Sequence, residues 1–524
     1  MPLRDALVVA TVCGATTLNV GAFLLSSRKT WLPDEIVHQV FLSGALTVAI
    51  PSIGKDLNIT EANLQWPLTV FSLAYGCTLL LFGRMGDIFG GRVMFLVGSA
   101  WFSVWSIGTG LAPNLASITI FMAMLGLGAA ANTPAAIGVL GSHFPPGPRR
   151  NTAFGILGAG QPLGYILGLI LGGLFSESRA TWRAIFYVQA GLGAFFVVLG
   201  FFQLEKQPTD SQLYAKGLDW GGALLSTAGL GLLTYALAAS ASAPRGWATP
   251  YIIGLTCASV ILLILFWIYE SWREKKGAAV LMPPSIWKHP SARMPATIGM
   301  VFFAWWNFNT LLYLCALYYQ QVNGLSPLQT SVRFLPSIVC GVATNLAGGW
   351  LLNRVSGLSL ILGAITMNIV SALLFSLLQV NAGFWKISLW VMILLAGADL
   401  IYPAGTLQVA SAVDNDSKSL AGGIFTVATR LGSSLGMAVS TIISTTLSKH
   451  FQSAHPEFSS SDPQVLMVGF RAAAWSLFAA AVISFVIALI GLRGIGIIGK
   501  PDTKPVPEPE PKPEPSAGSV ETMV

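Results

Sequence analysis

Charge is what this chain has least of. Only 10% of its 524 residues are Asp, Glu, Lys or Arg, against about 25% in a soluble globular domain. Histidine and cysteine are also scarce, with five of each. The histidines all fall in or near loops. No His/Asp cluster, nucleophile triad or metal-spaced ligand set can be assembled, so the pattern speaks against an enzyme and implies no cofactor and no metal. Cys13, Cys77, Cys257, Cys315 and Cys340 lie far apart inside apolar runs. They read as small buried hydrophobes rather than disulfides or metal ligands. A Gly-x4-Gly-Lys-Ser/Thr loop is missing, which argues against ATP as the driving force. No cleavable signal-peptide pattern is expected.

What remains is apolar. Hydrophobic residues make up 54% of the chain and the mean hydropathy is +0.68, more apolar surface than a soluble core can hide. Lipid must act as solvent, and a spanning helix takes about 20 apolar residues. Fourteen spans are expected: 6–19 joined to 40–52, then 64–82, 93–112, 116–140, 153–175, 184–203, 220–240, 250–270, 294–319, 328–352, 358–378, 384–408, 420–446 and 468–492. The net charge of +7 does not point to nucleic acid, because the basic residues sit mostly in short loops. Those with Arg84, Arg92, Arg149, Arg150, Lys275, Lys276 and Lys418 belong to the more basic set, which places that face and both termini in the cytoplasm. Asn58-Ile59-Thr60 is a glycosylation sequon on the other side.

Both ends of the chain are unusual. Val20 to Gln39 interrupts the first span with Arg28, Lys29, Asp34 and Glu35, and deleting 20–39 would fuse two half-helices into one. The segment reads as a retained intron, with a genuine re-entrant insertion as the alternative. The tail, 497–524, alternates Pro with Glu, Lys and Asp and is expected to be disordered.

The polar stretch Gly83-Arg84-Met85-Gly86-Asp87-Ile88-Phe89-Gly90-Gly91-Arg92 joins two apolar runs. Its glycines permit a sharp turn and close backbone approach. Arg84, Asp87 and Arg92 offer a charged clasp at the membrane face. The later stretch Gly349-Trp350-Leu351-Leu352-Asn353-Arg354 echoes it, with Asn353 in place of the Asp. Gly155, Gly164, Gly168, Gly172 and Gly173 form a small-residue stripe suited to tight helix packing. Trp182-Arg183-x-x-Phe186, Leu218-Asp219-Trp220-x-Gly222 and Gly422-Gly423 to Arg430-Leu431-Gly432 complete the set.

On these motifs the chain, over roughly residues 40 to 495, resembles the major facilitator superfamily, and within it the fourteen-helix drug:proton antiporter branch of fungal type. The resemblance implies an all-α membrane protein of two pseudo-symmetric six-helix bundles, 1–204 and 291–496, joined by two linking helices in 205–290. It also implies proton-coupled export of a small organic molecule by alternating access, from a monomer in the plasma membrane rather than the vacuolar membrane. A small-solute porter of the ammonium, borate or aminotriazole kind and a non-transporting sensor are the alternatives. Three departures stand out. Met122 replaces an Arg common in the fourth helix, the first helix lacks an intramembrane Asp, and Leu169 stands where the glycine stripe usually carries a Pro.

A charge inside hydrocarbon is costly and usually marks function. Asp399 is the one acid well inside an apolar run and is the expected proton carrier, or else a structural Asp at a helix broken near Pro403. Arg430 is expected to pair with it or to meet an anionic substrate. Trp305, Asn309 and Tyr313 share one helix face and suit a cavity for a flat molecule. Tyr318 and Tyr319 read as an interfacial belt. Asn132 and Gln161 are further intramembrane amides, either in the pathway or bonded between helices.

Overall fold

The computed structural model describes residues 34–59, 66–143, 146–204, 211–240, 243, 246–288, 293–380 and 382–497. Residues 6–33, Thr60, Lys206, Arg245 and the tail from 498 lie outside the described residues. Among the described residues every element is helical. Twelve helices are long and apolar enough to cross a membrane. Two more long helices, Asp34–Asp56 and Lys418–Ala454, pack among them. The first of these takes in residues 34–39 of the segment read as an insertion.

The first group comprises α1 (Asp34–Asp56), α2 (Trp66–Phe89), α3 (Gly91–Gly110), α4 (Leu115–His143), α5 (Pro148–Glu177) and α6 (Arg183–Gln203). A linking pair follows, α7 (Trp220–Ser240) and α8 (Pro250–Lys275). The second group is α9 (Met294–Leu317), α10 (Pro327–Leu351), α11 (Gly357–Ser376), α12 (Leu389–Leu395), α13 (Gly397–Ser411), α14 (Lys418–Ala454) and α15 (Pro463–Gly491). The main contacts between the groups run α5 on α10, and α14 on α2 and α4.

Local sequence sets the helix ends. Pro opens α5, α8, α10 and α15, where its missing N–H costs nothing. Ser326 and Gln329 form a reciprocal capping box on α10. Asp462 accepts from Gln464 N at 2.8 Å to start α15. Gly90 alone, at φ +91°, makes the turn between α2 and α3. The stretch 83–92 is therefore helix, turn and helix rather than a loop. The expected span 384–408 is broken at Ala396, with a π-turn at Phe384–Ser388 and Asp399 just beyond the break.

The linking pair lies along α2. Trp66 stacks on Tyr235 at one end (6.1 Å between ring centroids), and Phe89 meets Tyr214 edge-on at the other (6.1 Å). Asp219 caps α7 through Gly222 N (3.1 Å) and takes a bond from the Tyr269 hydroxyl and an ion pair from Arg273 (3.6 Å). Buried Glu270 accepts from Met282 N at 3.1 Å.

Candidate functional site: a closed face and a cleft

Asp87 lies at the end of α2, and its carboxylate accepts from the backbone N–H groups of Ser419 (2.8 Å) and Leu420 (3.0 Å). These are the first free donors of α14, where the helix dipole also favours an anion. Gly83 and Gly86 clear the space. A β-carbon at Gly83 would come within 3.1 Å of Ser419 O, and one at Gly86 within 3.0 Å of the Ser419 side chain. Gly138 of α4 abuts the Ser419 hydroxyl, and Lys418 Nζ donates to Gly141 O at 2.7 Å.

The second copy of the motif makes the equivalent closure. Asn151 Nδ2, near the start of α5, donates to Asn353 Oδ1 at 2.8 Å, and Asn353 Nδ2 returns to Gly349 O. A β-carbon at Gly155 would meet Gly349 Cα at 2.8 Å. The end of α2 thus rests on the start of α14, and the end of α10 on the start of α5, on the same face.

The two arginines of the first motif point elsewhere. Arg84 Nε donates to Val280 O (3.1 Å) in the segment after the linking pair. Arg92 Nη2 donates to Phe201 O (2.7 Å) at the end of α6. Arg354, in the turn after α10, lies over the Trp350 ring at 4.0 Å. Among the described residues the ion pairs are Arg183–Asp56 and Arg273–Asp219, so the expected charged clasp is instead a carboxylate on a helix end. The physical reason is reach: Asp87 faces α14, whose N–H groups need an acceptor.

Further in, a second set of residues meets where the groups adjoin. Arg430 is exposed, although it lies three turns into α14, and its guanidinium sits over the Tyr75 ring of α2 at 4.7 Å. Tyr75 is buried and its hydroxyl bonds Thr133 Oγ1 (3.2 Å). Trp305, Tyr402 and Phe425 touch one another, with ring centroids 5.8, 5.5 and 6.4 Å apart. Tyr402 is within electrostatic range of both Tyr75 and Arg430. Asn309 Nδ2 donates to Ser433 Oγ at 2.8 Å, one turn from Arg430.

Asp399 does not pair with Arg430. It is hydrogen-bonded by Asn345 and lies against Gly341, both on α10. The Asn345 carbonyl oxygen points at Gly158 of α5, so this polar pair sits beside the contact between the groups.

The other expected residues are dispersed. Tyr313 is exposed. Asn132 is buried with its side-chain oxygen against Gly98, a contact of α4 with α3 inside the first group. Gln161 is half-buried on α5. Tyr318 and Tyr319 are not an interfacial belt but are buried in the second group, 1% and 2% exposed. The glycine stripe divides. Gly155 faces α10, whereas Gly168 and Gly172 face Phe41 and Ala45 of α1; Gly164 is buried and Gly173 lies near Val48. Sequence reasoning missed Tyr75, Tyr402, Phe425 and Asn345. Only Tyr402 carried a signal, lying between Asp399 and Pro403; the helix expected to break near Pro403 instead runs through it and breaks at Ala396.

Residues 39–219 match the family described as Major Facilitator Superfamily. MFS-type transporter 1 of Pyricularia oryzae is 29% identical over 95% of this chain and 85% of its own length. The low affinity ammonium transporter of Saccharomyces cerevisiae is 26% identical, covering 74% and 75%. The cephamycin export protein CmcT of Amycolatopsis lactamdurans is 30% identical, covering 76% and 81%. Among solved structures, the human organic anion transporter MFSD10 superposes with a TM-score of 0.59 at 14% identity, covering 87% of this chain and 96% of that one; this is a likeness of fold.

Proposed function

The chain belongs to the Major Facilitator Superfamily of membrane transporters, and we propose that it exports a small organic molecule by alternating access, driven by protons. The observation that carries this reading is the closed face beneath an exposed intramembrane arginine. The closure consists of hydrogen bonds and glycine contacts that can part and reform, and it lies between the two groups of helices. In this reading the closed face is cytoplasmic, both termini lie there, and the protein stands in an outward-open state in the plasma membrane. The fourteen spans are the twelve apolar helices plus α1 and α14. The bundles are 1–204 and 291–496, and the likeness to an export protein favours efflux.

Asp399 is the proposed proton carrier. It stands at a broken helix, bonded to an amide beside the contact between bundles, so rocking the bundles changes its surroundings and hence its hold on a proton. Arg430 and its aromatic neighbours line the substrate site. The likeness to an ammonium transporter favours a second reading, a porter for a small cation. The exposed Arg430 opposes it, because like charges repel in a low-dielectric cleft.

The test is transport of a metabolite panel into inside-out vesicles with and without a pH gradient. Gradient-driven uptake of an organic compound is expected, and Asp399→Asn should abolish its dependence on the gradient. Unchanged gradient dependence in that variant would remove Asp399 from the proton path. Uptake of methylammonium alone would replace the exporter reading with the second one.

A further inference from the structure

We propose that the transported molecule is an organic anion, its negative group held by Arg430 beside the rings of Tyr75 and Tyr402. The proposal rests on the exporter reading and adds the chemical class of the cargo.

Depth comes first. Arg430 lies about 18 Å along α14 from the closed end, near the middle of a hydrocarbon layer of about 30 Å. A guanidinium so placed ordinarily finds a carboxylate. Here the described ion pairs lie elsewhere, and Asp399 is engaged with Asn345 on α10. What Arg430 has is Tyr75, below one face of its plane.

The arrangement leaves the right surfaces free. Stacking occupies the flat face of a guanidinium and leaves its N–H edge open, the edge that grips a carboxylate, sulfonate or phenolate in bidentate fashion. The side chain is exposed, so that edge is reachable. Tyr75 belongs to α2 and is fixed by Thr133, while Arg430 belongs to α14, so the arginine sits where the two groups meet. Trp305, Tyr402 and Phe425 form a contiguous wall of rings. All three are buried, so they back the site rather than open onto it. Asn309 and Ser433, already bonded to each other, add a neutral polar rim. A site with one cation and a polar rim selects an acid over a neutral or cationic molecule of the same shape.

Three probes of one shape test this: 2-naphthoate, its neutral amide and 2-naphthylmethylammonium, titrated onto the purified full-length protein. Naphthoate should bind at least about tenfold tighter than the amide, the ordinary effect of one charge-assisted contact, and tighter still than the ammonium. Arg430→Gln should bring the naphthoate-to-amide ratio to about one, and Arg430→Lys should keep part of the preference. Lys retains the charge, so it serves if the Gln variant does not fold. No preference for naphthoate in the natural protein, or one that survives in Arg430→Gln, overturns the proposal. Binding and transport separate the two readings. Charge-selective binding without vesicle transport would sink the exporter reading alone. Gradient-driven export of a cation with no role for Arg430 would sink only this one.

Discussion

Asp87 illustrates what one side chain contributes. Its two oxygens take the N–H groups of Ser419 and Leu420, and Arg84 acts on it through space without a direct ion pair. A hydrogen bond to a charged acceptor contributes about 1.5–3 kcal/mol. Asp87→Asn keeps one acceptor oxygen and loses the charge at the helix end, so closure should weaken by about 2 kcal/mol, roughly thirtyfold in the closed-to-open ratio. Alkylation of a cysteine placed at Ser419 should quicken accordingly, while the order of preferred substrates stays the same. A changed substrate range would move Asp87 into the transport site. The position of this contact was legible in the sequence because glycines and an acid between two apolar runs are conspicuous. Its partner was not, since backbone N–H groups carry no residue signature and Ser419 lies 332 residues away. Arg430 was visible as a charge in an apolar run, but its neighbour Tyr75 was hidden for the same reason, being far away in the chain.

Among the elements, α5 does two jobs with one residue type. Gly155 faces α10 across the divide, and Gly168 and Gly172 face α1 within the first group. Valine at the two places should therefore act differently. At Gly155 the added carbons meet the Gly349 backbone, so the closed state is penalised while the fold is kept. At Gly168 they meet the Phe41 and Ala45 backbone, and such overpacking costs about 1–3 kcal/mol of fold stability. Thermal unfolding should drop for Gly168→Val. For Gly155→Val it should hold, with accessibility at the closed face raised. A melting point lowered equally by both would show that α5 has a single packing role. The regular spacing of these glycines was visible in the sequence. Their division between two partners was not, because spacing gives the helix face and tertiary packing decides what covers it. Asn132 follows the same rule: an amide in an apolar helix was evident, but its direction toward Gly98 was not.

For the molecule as a whole, alternating access predicts that locking the closed face stops turnover. The β-carbon of a residue at Gly86 would lie 3.0 Å from Ser419 Cβ, slightly inside the 3.5–4.5 Å of a disulfide, so a small shift suffices. With the natural cysteines replaced, Gly86→Cys and Ser419→Cys should cross-link under oxidant and halt transport, and reductant should restore it. Transport that continues through the cross-link would mean that this face need not open. At this scale the sequence was most informative, since apolar run length and repeated loop motifs depend on lipid thickness and duplication rather than on distant contacts.

The linking pair has a consequence for how the molecule moves. With its flanking segments it grips α2, through Tyr235 of α7 on Trp66, Tyr214 before α7 on Phe89, and Val280 after α8 on Arg84. α2 also ends in Asp87, the residue that must let go of α14 on opening. In the proposed rocking motion the pair therefore travels chiefly with the first group, although α7 also touches α14, and eight spans turn against six. Fluorophores on α7 and α4 should hold a constant separation through a transport cycle, while the separation of α7 from α15 alternates between two values.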